Sequence, residues 1–247
     1  MNDWAQRFFA AHKNGQPYDL LSAEAADPSV QQAYTIQKAY VALRDTPISG
    51  YKAALTAPAA QAPMGVDEAI TGVLFANGAM DNTAPIKLTQ ACLLETEIGF
   101  VASQAIDAPI TADQAFALCQ VCLPMIEVAS PNLAGKPSGI DLIATNSASF
   151  AYIRGATAET ADIDIDDLTV SLSTGQETLW QTAAGVVRSG QKQALTWLIN
   201  SVLAQGLQIE PGHLFMTGSI GGMHPAKPGD YTAEFGALGT INFSIAD

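Results

Sequence analysis

The chain has 247 residues, of which 48% are hydrophobic and 14% are charged, so it can bury the core of one large domain or of one domain with a small appendage. Its 24 acidic and 11 basic residues give a formal net charge of −13. Without a basic patch to neutralise phosphates, neither nucleic acid nor an anionic membrane is expected as a partner. The N-terminus does not resemble a secretion signal and no apolar run reaches membrane length, so the sequence predicts a cytoplasmic protein.

Residues 1–45 are predicted to form an N-terminal helical segment, with one helix at 29–43 beginning after Pro28. Residues 46–247 are predicted to form a second unit of short strands with a few helices and no regular strand–helix alternation, which indicates an α+β fold around a curved or rolled sheet. Strands are predicted at 50–56, 72–75, 93–102, 168–172, 177–181, 214–217 and 240–245, helices at 113–122 and 193–207, and a turn at 228–230.

Two glutamates interrupt the apolar segment 92–101 at alternating positions, Glu95 and Glu97, and Glu127 interrupts the apolar segment 122–129 in the same way. Alternate side chains of a strand share one face, and adjacent carboxylates repel unless a cation or a proton lies between them. The simpler interpretation is a strand with one solvated face. The low charge content of the chain and the apolar surroundings favour a site for a hard cation such as Mg²⁺ or Mn²⁺.

Lys52 is a single cation in the strand-like segment 49–56. It is either an extended surface lysine or a proton relay beside a metal-bound substrate. The glycines around Ser219 would let backbone N–H groups approach a ligand, although such turns are commonly only turns. Cys119 and Cys122 have helical spacing and no second ligand pair, which favours packed thiols over a zinc or redox site.

An ordered set of motifs from about residue 30 to the C-terminus resembles the 2-keto-4-pentenoate hydratase and 4-oxalocrotonate decarboxylase family, within the fumarylacetoacetate hydrolase superfamily. The motifs are Gly50-Tyr-Lys-Ala-Ala-Leu-Thr56, Gly72-Val-Leu-Phe75, Glu95-Thr-Glu-Ile-Gly-Phe100, Leu123-Pro-Met-Ile-Glu127, Thr217-Gly-Ser219 and Phe235-Gly-Ala-Leu-Gly239.

The resemblance implies a fumarylacetoacetase-type rolled mixed β-sheet and a divalent Mg²⁺ or Mn²⁺ held by Glu95, Glu97 and Glu127. It further implies that Lys52 is the active-site lysine, that the substrate is a small 2-oxo or 2-hydroxy-dienoic acid of aromatic catabolism, and that the protein is a homo-oligomer that can associate with a related decarboxylase or hydratase. The substrate-binding residues that it implies are Leu74, Asn77, Asn146, Ser147, Thr217 and Ser219.

Three segments depart from the family pattern. Asn77 stands where hydratases have an aspartate, and an amide cannot act as a base, so Asp81 or a metal-bound water would have to activate the added water. The segment 145–149 is altered, with Asn146 as its clearest match, and the segment 187–193 lacks the usual Gly-His-Pro. We therefore expect a hydro-lyase of the hydratase type. The alternatives are a 2-oxo-acid decarboxylase, a hydrolase that cleaves a carbon–carbon bond of an acylpyruvate, and an inactive scaffold subunit.

Overall fold

Two β-sheets and seven α-helices make up residues 2–246, the part of the chain that the computed structural model describes. The helices are α1 (Asn2–Lys13), α2 (Leu21–Glu24), α3 (Val30–Leu43), α4 (Pro58–Gln61), α5 (Ala112–Leu118), α6 (Gly139–Ala144) and α7 (Gln191–Ala204). The strands are β1 (Ile48–Ala54), β2 (Ile70–Phe75), β3 (Leu93–Val101), β4 (Val121–Ala129), β5 (Ala151–Arg154), β6 (Ala158–Glu159), β7 (Thr169–Thr174), β8 (Glu177–Ala183), β9 (Leu214–Met216), β10 (His224–Pro225), β11 (Gly229–Glu234) and β12 (Thr240–Ile245).

The larger sheet has eight strands in the order β2-β1-β9-β3-β4-β5, with β10 beside β3 and β6 beside β4. Within it β1 and β9 are parallel and the other paired strands are antiparallel. The smaller sheet has the order β12-β11-β7-β8. This arrangement is the mixed sheet that the sequence predicts.

The long ladder between β3 and β4 is the centre of the larger sheet, and it corrects one prediction. The two strands pair along their whole lengths, from Leu93 opposite Ala129 to Val101 opposite Val121. The helix predicted at 113–122 ends at Leu118, because the β-branched and buried residues after it extend into this ladder. Cys119 and Cys122 therefore do not share a helix, and both are buried free thiols.

The helices near the N-terminus pack around an apolar cluster of their own. Ser29 caps α3 in a capping box with Gln32, as the predicted helix start requires. Phe8, Ile36 and Tyr40 of α1 and α3 pack there with residues of α6 and β2. The division of the chain at residue 45 stays a prediction. None of the helices within residues 2–246 combines the length and the apolar character of a membrane span.

Two further clusters lie on opposite faces of the larger sheet. The main core joins one face to the smaller sheet and to α7. The other face carries a small apolar cluster that includes Leu74, Met125 and Met216, and it is also the face of the candidate site. The strands β5, β6, β10 and β11 were not predicted, and the turn predicted at 228–230 overlaps the start of β11.

Candidate metal centre and active site

The three glutamates singled out in the sequence meet on one face of the β3–β4 ladder. Glu95 lies directly opposite Glu127, and Glu97 lies opposite Met125, so strand alternation points all three carboxylates to the same side. Each offers one oxygen, and these oxygens lie within 4.8 Å of one another. Glu97 and Glu127 are buried, whereas Glu95 is partly exposed. The site therefore reaches solvent on the side of Glu95.

The donor set of the cluster fits a divalent cation. Glu97 Oε1 and Glu127 Oε2 are buried and accept no hydrogen bond from the described residues, and leaving such oxygens unpaired is costly. Three ionised carboxylates and the ammonium of Lys52 would leave a net charge of about −2, which a divalent cation neutralises. Carboxylate oxygens are the ligands that hard divalent cations prefer.

The raised pKa values of the glutamates reflect their burial and the repulsion between their charges. Burial, and after it the charge of Glu127, raises the pKa of Glu95 from 4.5 to about 7, against the opposing influence of Lys52 and of the Ser219 hydroxyl. Burial and the charges of Glu127 and Glu95 raise the pKa of Glu97 well above its ordinary value. A proton thus competes with a cation for this site.

Lys52 lies on the same face as the glutamates and is only 2% exposed. In register it stands beside Met216 of β9 and Gly72 of β2. Its Nζ lies 2.8 Å from Glu127 Oε1 and donates a hydrogen bond to the carbonyl of Ser147 at 3.0 Å. Burial lowers the pKa of Lys52, but the charges of the three glutamates outweigh it and raise the pKa, so the side chain is an ammonium. The surface alternative is excluded.

The loop between β9 and β10 borders the glutamates. The N–H of Gly218 donates to Glu97 Oε2 at 2.8 Å, and a Cβ on Gly218, whose φ is +120°, would lie 2.4 Å from Thr56 Cγ2. Glycine is thus required for this close approach. The hydroxyl of Ser219 donates to the carbonyl of Gly222 at 3.1 Å, and it also lowers the pKa of Glu95.

Trp180 and Thr96 fix this loop from the opposite face of β3, and neither was predicted as a site residue. The indole N–H of Trp180 donates to Thr96 Oγ1 at 3.0 Å, and that hydroxyl donates to the carbonyl of Ile220 at 2.7 Å. The indole also covers Gly221, where an added Cβ would lie 2.2 Å from the ring. The tryptophan belongs to β8 of the other sheet, so only the folded structure brings it to this loop.

The chain is similar to known proteins over most of its length. No protein-family model matches the sequence. The chain is 27% identical to the 2-keto-4-pentenoate hydratase of Paraburkholderia xenovorans (strain LB400), over 96% of this chain and 91% of that protein. It is 28% identical to the 4-oxalocrotonate decarboxylase of Pseudomonas sp. (strain CF600), over 76% of this chain and 73% of that protein. Along most of its length, the chain is thus similar to 2-keto-4-pentenoate hydratases and to a 4-oxalocrotonate decarboxylase.

A solved structure confirms the predicted fold. The 4-oxalocrotonate decarboxylase from Pseudomonas putida G7, complexed with magnesium and adipate, superimposes with a TM-score of 0.92 at 23% sequence identity. The match covers 99% of this chain and 96% of that chain. The predicted fumarylacetoacetase-type rolled sheet is therefore correct.

The two residues connected with the missing family aspartate lie near the surface. Asn77 is exposed beside a cavity of about 240 Å³ that Arg44 and Ser149 also line. Asp81 is exposed as well, and its Oδ1 accepts a hydrogen bond from the N–H of Thr83 at 2.9 Å, which lowers the pKa of Asp81. The predicted roles of Asn77 and Asp81 stay predictions.

The other residues that the family pattern suggested for substrate binding are engaged within the protein. Leu74 is buried in the small apolar cluster on the glutamate face. The hydroxyl of Thr217 donates to Gln191 Oε1 of α7 at 2.6 Å and lies near the carbonyl of Ile98, on the face opposite the glutamates. Asn146 and Ser147 bind the backbone of β2. Their roles toward substrate also stay predictions.

Proposed function

We propose that this protein is a divalent-metal-dependent hydro-lyase that adds water to a small 2-hydroxy-2,4-dienoate and forms a 4-hydroxy-2-oxo acid. The observation that carries the proposal is the ion pair at 2.8 Å between the buried ammonium of Lys52 and Glu127. Glu127 belongs to a cluster of three glutamates, and the buried carboxylate oxygens of that cluster include some that accept no hydrogen bond from the described residues. Several proteins similar to this chain are 2-keto-4-pentenoate hydratases, which further supports the proposal.

Lys52 is suited to move a proton at the conjugated carbons of the substrate. Its ammonium has three N–H groups; one is directed to Glu127 and one to the carbonyl of Ser147, which leaves the third for a substrate atom. In the first step the 2-hydroxyl loses its proton and the terminal carbon C5 gains one, which gives a 2-oxo acid with a C3=C4 double bond. Water then adds its oxygen to C4 and a proton enters at C3, so the net change is the addition of one water molecule.

The proposed cofactor is Mg²⁺ or Mn²⁺, held by Glu95, Glu97 and Glu127. Bound there, it would stabilise the negative charge that develops on the 2-oxo oxygen when the neighbouring carbons exchange protons. Glu95 and Ser219 are partly exposed, so the substrate would enter the site from their side. The N–H groups and the hydroxyl of the loop after β9 would orient the substrate carboxylate.

Decarboxylation of a 4-oxalocrotonate-type acid is the second candidate, and Asn77 favours it. Loss of CO₂ needs the same charge stabilisation but no base to activate water, and an amide cannot supply one. A carbon–carbon hydrolase would need such a base, and no ion pair between a histidine and an acidic residue occurs within residues 2–246. An inactive scaffold would not need to bury oxygens of Glu97 and Glu127 that accept no hydrogen bond, because such burial is destabilising.

Proton NMR of products distinguishes these candidates. The purified protein with Mg²⁺ or Mn²⁺ is given 2-hydroxypenta-2,4-dienoate in one sample and 4-oxalocrotonate in another. The matched variants are Glu97→Gln and, as a control, Glu177→Gln, which changes an exposed glutamate of β8 in the same way. A 4-hydroxy-2-oxo product formed by the wild type and the control but not by Glu97→Gln supports the hydratase. Consumption of 4-oxalocrotonate alone moves the assignment to the decarboxylase.

Metal content separates the enzymes from the scaffold. Titration with Mn²⁺, followed by the electron paramagnetic resonance signal of the free ion, is expected to show one tight site per chain, absent in Glu97→Gln. A protein without such a site would contradict every enzymatic candidate. The proposal also includes a homo-oligomer, as the family resemblance implies, and sedimentation velocity tests it.

A further inference from the structure

Three consecutive residues after α6 have a backbone conformation that side chains other than glycine rarely adopt. Asn146, Ser147 and Ala148 have φ values of +73°, +52° and +58°. Left-handed conformation costs free energy at each such residue, least at asparagine, and a run of three persists only where the surroundings hold it. We call residues 146–148 the left-handed turn.

The side chains of this segment hold the turn against the outer edge of β2. Asn146 Oδ1 accepts a hydrogen bond from the N–H of Val73 at 2.7 Å, and its Nδ2 donates to the carbonyl of the same residue at 2.9 Å. The hydroxyl of Ser147 donates to the carbonyl of Thr71 at 2.7 Å, and the hydroxyl of Ser149 donates to the carbonyl of Val73 at 2.8 Å. The carboxamide of Asn146 thus replaces a neighbouring strand.

The turn places one carbonyl against Lys52. The Ser147 carbonyl accepts the hydrogen bond from Lys52 Nζ at 3.0 Å. Gly72 makes the close approach possible, because a Cβ there would lie 2.9 Å from the carbonyl oxygen of Asn146 and 3.3 Å from Lys52 Cδ. Asn146 is 2% exposed, and its amide oxygen and nitrogen are both bonded to Val73.

We propose that Asn146 is a positioning residue for Lys52. It anchors the left-handed turn to β2, and the Ser147 carbonyl then holds the lysine Nζ beside Glu127. This assignment replaces the substrate-binding role that the family pattern suggested for Asn146 and Ser147. It rests on the proposed function in so far as Lys52 transfers the proton.

Two variants test the assignment. Asn146→Gly removes the carboxamide and relieves the left-handed conformation, so the chain can fold while the anchor to Val73 is lost. Asn146→Asp keeps the shape but replaces the Nδ2 donor by an oxygen that faces the Val73 carbonyl. Ser149→Ala serves as the comparison, because it removes one hydrogen bond to the same carbonyl without changing residues 146–148.

Steady-state kinetics with 2-hydroxypenta-2,4-dienoate and Mg²⁺ is the first readout. A misplaced proton-transfer group costs on the order of 100-fold in rate, so kcat is expected to fall by about 10- to 100-fold in both Asn146 variants with KM nearly unchanged. Ser149→Ala is expected to lose less than about 3-fold. A rise in KM at constant kcat would mean that the amide binds substrate and would overturn the assignment.

The second readout does not depend on activity. Buried Lys52 is expected to resist acetic anhydride, whereas exposed Lys87 reacts and serves as the internal reference, with both modifications measured by peptide mass spectrometry. Relative to Lys87, acetylation of Lys52 is expected to increase at least about 5-fold in folded Asn146→Gly, with one Mn²⁺ still bound per chain. Unchanged protection of Lys52 from acetylation would contradict the positioning role. If the wild type turns over neither substrate, the proposed function fails, and the acetylation result still decides whether Asn146 positions the lysine.

Discussion

Replacing Glu95 by glutamine is expected to stabilise the metal-free protein at alkaline pH. The folded protein holds the Glu95 proton up to a pKa of about 7, whereas the ordinary value in an unfolded chain is 4.5. Between these values the folded state binds more protons than the unfolded state, so the contribution of Glu95 to stability decreases as the pH rises from about 4.5 to 7. At about 1.4 kcal/mol per pKa unit, the full loss is about 3 kcal/mol.

Glutamine has nearly the same shape and carries no charge to bury. Because Glu95 is partly exposed, we expect a gain of about 1–3 kcal/mol in the free energy of unfolding at pH 8.5 in EDTA, and little difference at pH 4.5. Urea unfolding followed by circular dichroism measures both values, with Glu177→Gln as the control variant.

Added Mg²⁺ should reverse the order of the two proteins. A ligand that binds only the folded state adds about 2.7 kcal/mol at a concentration of 100 times its Kd, and Glu95→Gln has lost one of the three carboxylates of the site. A wild-type protein that is the more stable one in EDTA at pH 8.5 would refute the reasoning, because Glu95 would then not be held in a repulsive, buried cluster.

Three other changes test separate parts of the site. Lys52→Met leaves Glu127 without its buried partner, so we expect a loss of about 3–5 kcal/mol of stability in EDTA. We also expect turnover to fall by at least about 100-fold. A metal-free variant as stable as the wild type in thermal denaturation would contradict the ion pair. Mn²⁺ binding is expected to quench tryptophan fluorescence, and Trp180→Phe should lose most of that signal; equal quenching in both proteins would place the ion elsewhere. Gly218→Ala forces a Cβ against Thr56, so Mn²⁺ affinity should fall by about 10-fold or more in calorimetric titration; unchanged affinity would show that the loop adapts.

The shared face of Glu95 and Glu97 could be predicted from the sequence because strand alternation is a local property. Acids at positions 95 and 97 of an apolar segment must share a face once that segment is a strand. The partner strand and its register were not predictable from spacing alone. Glu127 was grouped with Glu95 and Glu97 because it interrupts an apolar segment in the same way, and the family resemblance implied the same three residues. Only the ladder shows that Glu95 and Glu127 lie directly opposite each other.

Interactions with the backbone of distant segments could not be predicted from the sequence. Lys52 is held by a carbonyl 95 residues away, and a carbonyl carries no residue-specific signal. Thr217 occupies the face opposite the glutamates because β9 pairs with β3 in a register set by tertiary packing. The helix predicted through Cys122 failed for a related reason, since nine residues of pairing with β3 outweigh a short helical pattern.

The capped edge of β2 has a consequence for solubility. A strand at the end of a sheet normally presents free N–H and C=O groups that can recruit a strand from another molecule. Here the outward N–H and C=O groups of Val73 are bonded to Asn146 and Ser149, and those of Thr71 are bonded to side chains of α3 and of the left-handed turn. The residues that position Lys52 thus also block intermolecular β-pairing at this edge. A variant that removes these hydrogen bonds is expected both to aggregate more readily and to weaken the positioning of Lys52.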